Sequence, residues 1–430
     1  MSKIKILNLA FTDMGGAGKA SLVFNEMFNS AGYESILLVK ESNEINRNVL
    51  ILPQKLTNLF LKFYDKQIQR FKYLISHYFL FNEKYFFFNK NEKKTETCAK
   101  EIINAIPFIP DIVVLHWVTG FINSRSINEL EKITKAKMIW IMMDNAPLTG
   151  GCHYPWDCEG FYNSCSNCPA IKLSSLKIIA KSNLKIKKQF IPLNLEIISC
   201  SKTDYERAIK ASVFKKNKIH KVFFPIDKNK FSLGNKNLSK KQLSIQNDKI
   251  IIFYGASSIK NTRKGLLYFL SALTTLEDKI IKNGGSLDSY VILVAGNIDI
   301  DVFSEVKIPI FMLGFLNEEN LINAYQASEV FVSTSIEDSG PLMVNQAVMT
   351  GTPVVAFKTG VAVDLIMPDV TGFLSEPYDS KSLGDNIYEI LLMKDIQYLK
   401  MCNNCRQLAV DLYSFESTIK KYNEIFSSRS

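Results

Sequence analysis

The chain has 430 residues, enough for two or three domains, and its 47% hydrophobic content is that of a globular protein with ample buried cores. A formal charge of +10 suits an anionic partner, whether nucleic acid, an anionic membrane surface or a phosphorylated small molecule, and does not choose among them. No stretch reaches the apolar length that spans a bilayer, so the sequence reads as cytoplasmic, with cysteines as thiols or metal ligands and not disulfides.

In chain order, KIKILNLAF is an apolar run broken at Asp13 with no small-residue cleavage site after it, which reads as a first strand and not a signal peptide. A Gly-Gly turn follows, then KASLVFNEMFNSAG with helical spacing to Gly32, and the strand ESILLVK. Residues 55–94 are basic and crowded with aromatics. They fit a pair of helices packed on the first domain, or an amphipathic element resting on an anionic membrane. Residues 111–118, 137–144 and 195–201 are short, nearly continuous apolar runs of the kind that build a parallel sheet covered on both faces. After a Lys- and Asn-rich stretch at 227–248 the alternation restarts with KIIIFYG, a helix from about Arg263 and the strand YVILVAG. IPIFMLG, a helix over NEENLINAYQAS, EVFVSTS, a helix over PLMVNQAVMTG and PVVAF complete it. Strand-helix alternation run twice predicts an α/β protein of two doubly wound domains, with ligands at the strand carboxyl ends.

Some residues in this frame point to chemistry. The turn TDMGGAGKAS lacks the spacing of a Walker A loop, leaving a Gly-Gly turn at Gly15 and Gly16 that lets backbone N–H groups approach an anion, or simply a tight turn. In STSIEDSGPLMVNQAVMTGTPVVAF a strand ends in an acidic loop. Gly340 gives clearance, Pro341 suits the first helical position, and the helix N-terminus can seat a diphosphate beside Glu337. At KNTRKGLLYFL, Arg263 and Lys264 stand at another helix start, where two cations can stabilise a departing diphosphate. Cys152, Cys158, Cys165 and Cys168 fall within residues 149–171; the last two form a Cys-x-x-Cys. Their spacing fits a possible structural zinc, with His153 as a competing ligand, or packed reduced thiols.

Taken together and in order, several of these motifs resemble the retaining glycosyltransferases of family 4 and their GT-B architecture of two Rossmann-like domains facing a deep cleft. The matching features are Gly15–Gly16, DIVVLHWVTGFIN around His116, the TGGCHY block, FFPIDKNKF, the RKG helix start, GFLNEENLINAY and EDSGP…GTPVVAF. The TGGCHY block is similar to members acting in bacterial capsule, exopolysaccharide or O-antigen assembly. The resemblance implies an acceptor-binding domain over 1–222, a nucleotide-sugar-binding domain over 223–412 and a last helix over 413–430 that crosses back. It implies a nucleotide-sugar donor, a lipid-linked or growing glycan acceptor and no cofactor for the chemistry. Arg263 and Lys264 match the diphosphate-binding pair, with Lys260 a neighbouring candidate. Glu337 matches the first glutamate of Glu-x7-Glu, Phe315 and Leu316 the border of the base, and Gly340, Pro341 and Leu342 the diphosphate loop.

Two positions depart from the family pattern. The second motif glutamate is Asn345, and the histidine often found before Asp144 is Met143. Asp144, His116 and His153 remain acceptor-side candidates, and His116 at a strand end can equally serve a buried backbone carbonyl. A front-face substitution follows, in which the leaving phosphate takes the acceptor's proton. The departures motivate a rival reading, a sugar-nucleotide sensor or partner subunit. Nucleic-acid binding is disfavoured, because the basic residues are dispersed and no aromatic nucleic-acid motif is present.

Overall fold

Seven strands of the N-terminal part form one parallel sheet. They are β1 (Lys5–Thr12), β2 (Glu34–Glu41), β3 (Val49–Ile51), β4 (Ile112–Leu115), β5 (Lys137–Ile141), β6 (Glu196–Ser199) and β7 (Ile219–Lys221), ordered β3-β2-β1-β4-β5-β6-β7. The reversal of order between β1 and β4 is the doubly wound switch point. The second parallel sheet holds β8 (Ile250–Ser258), β9 (Tyr290–Asn297), β10 (Ile310–Gly314), β11 (Val330–Ser333), β12 (Val354–Phe357) and β13 (Gly372–Ser375), ordered β10-β9-β8-β11-β12-β13. This computed structural model describes residues 3–42, 48–53, 79–88, 91–258 and 261–428. Two compact units result, one of Met1–Cys200, Asp204–Val222 and Lys421–Ser430, the other of Ser201–Thr203 and Phe223–Lys420.

The strands form where the apolar runs are unbroken, since a strand covered on both faces must be apolar at every position. β4, β6, β11 and β12 are buried along their whole length. Each fully buried Val, Leu or Ile contributes about 1.5–3 kcal/mol, so these short strands are held by packing rather than by length. No described helix is long and apolar enough to cross a membrane.

The helix Gly15–Ser30 begins inside the glycine run rather than after it. Gly15 has φ +68, and a Cβ on Gly18 would lie 2.4 Å from the Asp13 carbonyl carbon, so the first turn lies directly against the end of β1. The helix expected from Arg263 starts later, at Leu266, because Thr262–Lys264 is a 3-10 turn ended by the left-handed Gly265. Pro341 caps the helix Leu342–Met349 and is not its first residue.

Most of the basic aromatic segment, 54–78 and 89–90, lies outside the described residues. The expected helix pair therefore lies largely outside them, and of the remainder Phe79 and Leu80 are helical. Residues 81–88 hold a 3-10 turn, Glu83–Tyr85, flanked by antiparallel bridges from Phe81 to Ile171 and Phe87 to Cys152. They lie along the cysteine block, with the Phe81 and Phe87 rings stacked at 5.3 Å. Near the C-terminus, the helix Phe415–Ser427 buries Tyr422 against Phe28 at 5.4 Å, and Lys137 Nζ donates to Ser428 O at 2.8 Å.

Candidate active site

In the C-terminal unit, the turn after β8 is stitched to the loop after β11. Thr334 Oγ1 donates to the Lys264 carbonyl at 2.8 Å, and Ile336 N to the Arg263 carbonyl at 2.8 Å. A Cβ on Gly265 would lie 2.0 Å from Thr334 O, and its φ of +69 is left-handed, so glycine alone lets turn and loop meet this closely. The two cations then converge on one carboxylate. Arg263 Nη1 and Lys264 Nζ donate to Asp338 Oδ2 at 2.8 and 2.5 Å, and Arg263 Nη1 also donates to the Glu337 carbonyl at 3.3 Å. Burial by itself would raise the Asp338 carboxyl, but the Lys264 ammonium and the Arg263 guanidinium overcome that and hold it below the usual carboxylate range. Burial lowers the Lys264 ammonium, which Asp338 counteracts and Arg263 reinforces.

Asp338 was not among the residues singled out from the sequence. Its signal was present as an acidic residue two positions before Gly340, but only the fold pairs it with a turn more than seventy residues away. Gly340 N donates to Asp338 Oδ1 at 3.3 Å, and Gly360, at φ +55, passes so close that a Cβ would lie 2.8 Å from the Asp338 carbonyl. The loop Glu337–Gly340 is thereby fixed ahead of Pro341 and Leu342. Glu337 is buried beside the cations. Asn345, buried on the helix Leu342–Met349, has no hydrogen-bond partner for Nδ2 among the described residues, while its carbonyl accepts from Tyr413 Oη at 2.9 Å. Phe315, 75% exposed, follows β10, and Leu316 comes next. Lys260 lies outside the described residues.

In the N-terminal unit, the structure joins two of the three acceptor-side candidates. Asp144 Oδ2 accepts from Trp117 Nε1 at 2.8 Å and lies 2.6 Å from His153 Nδ1, while Asp144 Oδ1 accepts from Ala146 N at 2.8 Å. His153 is buried, and its Nε2 has no hydrogen-bond partner among the described residues. Trp117, the third member, was not anticipated as a participant. His116 is engaged elsewhere: its Nε2 lies 3.0 Å from Asn8 Oδ1, and burial pushes its pKa down to about 3, so the ring is neutral. Among the described residues its ring meets neither a backbone carbonyl nor the Asp144 pair; its own carbonyl accepts from Trp140 Nε1 at 3.1 Å. Gly15 and Gly16 lie at the first helix start in this unit, and a Cβ on Gly16 would meet nothing within 4 Å.

The loop carrying Asp144 and His153 is held from below. Buried Lys187 donates to the carbonyls of Ala146 and Thr149 at 2.6 and 2.9 Å, and Asn183 Nδ2 to that of Gly150 at 3.0 Å. Cys152, Cys165 and Cys168 lie in the hydrophobic core, and Cys158 is partly buried. Burial pushes the Cys165 and Cys168 thiols up to about 11 and about 12, and Cys152 higher still. Among the described residues no group of three or more His, Cys, Asp or Glu side chains is arranged to hold a metal ion. A cavity of about 50 Å³ beside this loop is lined by Glu92, Val118, Asn123, Trp140 and Lys187.

Comparison with known proteins gives this geometry a context. Residues 235–409 match the family model for glycosyl transferases group 1. The lipopolysaccharide 1,2-N-acetylglucosaminetransferase of Salmonella typhimurium is 23% identical over 199 residues, covering 43% of this chain and 50% of that protein. The chain spans about half or less of the length of the curated relatives it matches. Sucrose-phosphate synthase from Thermosynechococcus elongatus superposes with a TM-score of 0.66 at 14% identity, covering 99% of this chain and 98% of that one. Anabaena HepE in complex with UDP and glucose gives 0.62 at 14% identity, covering 99% and 100%. The chain therefore has the two-domain GT-B fold, and its residues 235–409 are similar to the glycosyl transferases group 1.

Proposed function

We propose that the protein is a retaining glycosyltransferase that moves a sugar from a nucleotide-sugar donor to a lipid-linked or growing glycan in bacterial surface polysaccharide synthesis. The observation that carries the reading is the convergence of Arg263 and Lys264, on a turn only glycine permits, upon the loop that leads into the helix Leu342–Met349. A diphosphate brings its own anionic oxygens to those cations in place of Asp338, and the helix start adds N–H donors. The solved relative with UDP and glucose supports a nucleotide-sugar donor, and the lipopolysaccharide transferase supports a surface glycan as product.

In the proposed reaction the bond between the anomeric carbon and the phosphate oxygen breaks as the acceptor hydroxyl bonds to the same face of that carbon. The hydroxyl proton passes to the leaving phosphate, so no protein nucleophile and no metal takes part in the chemistry. Arg263 and Lys264 stabilise the charge that develops on the diphosphate. Glu337 accepts from donor-sugar hydroxyls, and Asn345 Nδ2 donates where a carboxylate could only accept. Phe315 offers an exposed ring face to the base, and Asp144 with His153 orients the acceptor.

Calorimetric titration with UDP, GDP, ADP and CMP tests this. One nucleoside diphosphate binds, and Lys264→Ala weakens it by about ten- to a hundredfold, the loss of one charge-assisted hydrogen bond. Glu337→Ala weakens the complete nucleotide sugar more than the bare diphosphate. Binding of none of the four refutes the donor site. Binding without donor-dependent turnover favours a sensor or partner subunit, the reading that Asn345 in place of the glutamate motivates.

A further inference from the structure

Beyond the carboxyl ends of β4 and β5, three side chains share two protons. Trp117 is tied to the end of β1, where Phe11 N donates to its carbonyl at 2.8 Å. Its indole N–H, which can only donate, lies 2.8 Å from Asp144 Oδ2 and 3.2 Å from His153 Nδ1. Asp144 Oδ2 and His153 Nδ1 are themselves 2.6 Å apart. Two lone pairs do not face each other at that distance, so a proton lies between carboxylate and ring. The indole reaches both atoms and gives its own proton to the carboxylate, the stronger acceptor. Nδ1 then carries the second proton and donates it to the same oxygen. A neutral imidazole protonated at Nδ1 presents a lone pair at Nε2.

That nitrogen is the end of the cluster that meets no protein group among the described residues, although His153 is only 2% exposed. The backbone around it is fixed. His153 N donates to the Tyr85 and Phe86 carbonyls, both at 3.1 Å, and the His153 carbonyl accepts from Asn145 N at 3.0 Å. Turning the ring over would set a carbon against Asp144 and break the 2.6 Å bond. A buried lone pair of this kind takes an O–H or N–H donor, and an anion or a carbonyl offers it nothing. In the reaction proposed above, the attacking hydroxyl gives its proton to the leaving phosphate. The donor that suits Nε2 is therefore a different hydroxyl of the acceptor.

We propose that His153 is a specificity-determining residue whose Nε2 accepts a hydrogen bond from an acceptor-sugar hydroxyl other than the one that reacts. Asp144 and Trp117 are its positioning residues, because together they make Nε2 an acceptor and not a donor. The polarity of the ring follows from the three side chains alone, and only the identity of the hydroxyl rests on the transferase reading.

The test is NMR of the full chain carrying ¹⁵N-labelled histidine, at about pH 8.5, two units above the usual imidazole value. His153 should show the Nδ1–H form. In Asp144→Ala the indole N–H is left with Nδ1 as its acceptor, so His153 should switch to the Nε2–H form. Adding Trp117→Phe should remove that preference, an exchange of tautomers that a merely structural role would not produce. Methyl glycosides of glucose, galactose, mannose and N-acetylglucosamine are then added with UDP present. An acceptor sugar should move the Nε2 resonance upfield, and its deoxy analogue lacking the hydroxyl that is read should bind about tenfold more weakly, the loss of one neutral hydrogen bond. An Nε2–H form in the wild type, an Nδ1–H form kept by Asp144→Ala, or an Nε2 resonance unmoved by all of the glycosides would each overturn the proposal. Failure of UDP to bind in the same samples would count against the transferase reading and leave the tautomer result standing.

Discussion

Replacing Asp338 by asparagine should move stability and ligand affinity in opposite directions. Its carboxylate holds Lys264 at 2.5 Å and Arg263 at 2.8 Å, and the three side chains are only 9%, 21% and 13% exposed. At an effective dielectric near 20, each charge pair is worth up to about 4 kcal/mol, offset by the desolvation of the groups. Breaking such a buried arrangement from one side costs about 3 kcal/mol, because two adjacent cations are left facing each other. For a domain of about 200 residues this lowers the melting temperature by roughly 6–12 °C. The same change removes a negative charge from the diphosphate's place, worth about 1 kcal/mol in a hydrated site, so UDP should bind about five- to tenfold more tightly. Scanning calorimetry of both proteins with and without UDP reads both effects. The pH dependence adds a third. Since the folded carboxyl titrates below its unfolded value near 4, its stabilisation is complete above pH ~4 and lost on further acidification. The asparagine variant should lack that part of the acid transition. A variant that melts within about 2 °C of wild type, or one that binds UDP more weakly, would refute the pairing as a reservoir of positive charge held for the diphosphate.

His116→Gln should leave the UDP affinity unchanged. In the wild type, stability should fall as the pH drops from about 6.5 toward 3, because His116 binds a proton readily only when unfolded; chemical denaturation across that range should show a smaller loss in the variant. Gly265→Ala should cost at least about 2 kcal/mol, from a left-handed φ and a Cβ 2.0 Å from Thr334 O, and should impair UDP binding by displacing Arg263 and Lys264. Wild-type affinity and melting in that variant would show that the turn and loop can separate without consequence.

By itself, the sequence determined ten of the thirteen described strands and left out only β3, β7 and β13, short strands at the sheet edges. Runs such as IVVL and VVAF are apolar at every position, and only a strand covered on both faces buries such a run without stranding side chains in water. It also determined which loops carry charge and glycine, and so where a diphosphate could be met. Tertiary structure decided which of those charges meet. Asp338 reads locally as one more loop acid, yet it lies between Arg263 and Lys264 because β8 and β11 are neighbours in the sheet. His116 and Asp144 both follow apolar strands and look alike in sequence. One faces Asn8 and is held neutral, whereas the other meets Trp117 and His153. The residue before the helix at Leu266 must be glycine because the distant Thr334 carbonyl leaves no room for a Cβ there. Phe81 bridges Ile171 across ninety residues of chain. Local pattern reports what each residue would bury or charge, because burial and helical period are properties of neighbours in the chain. The partner of a charge is a property of neighbours in space.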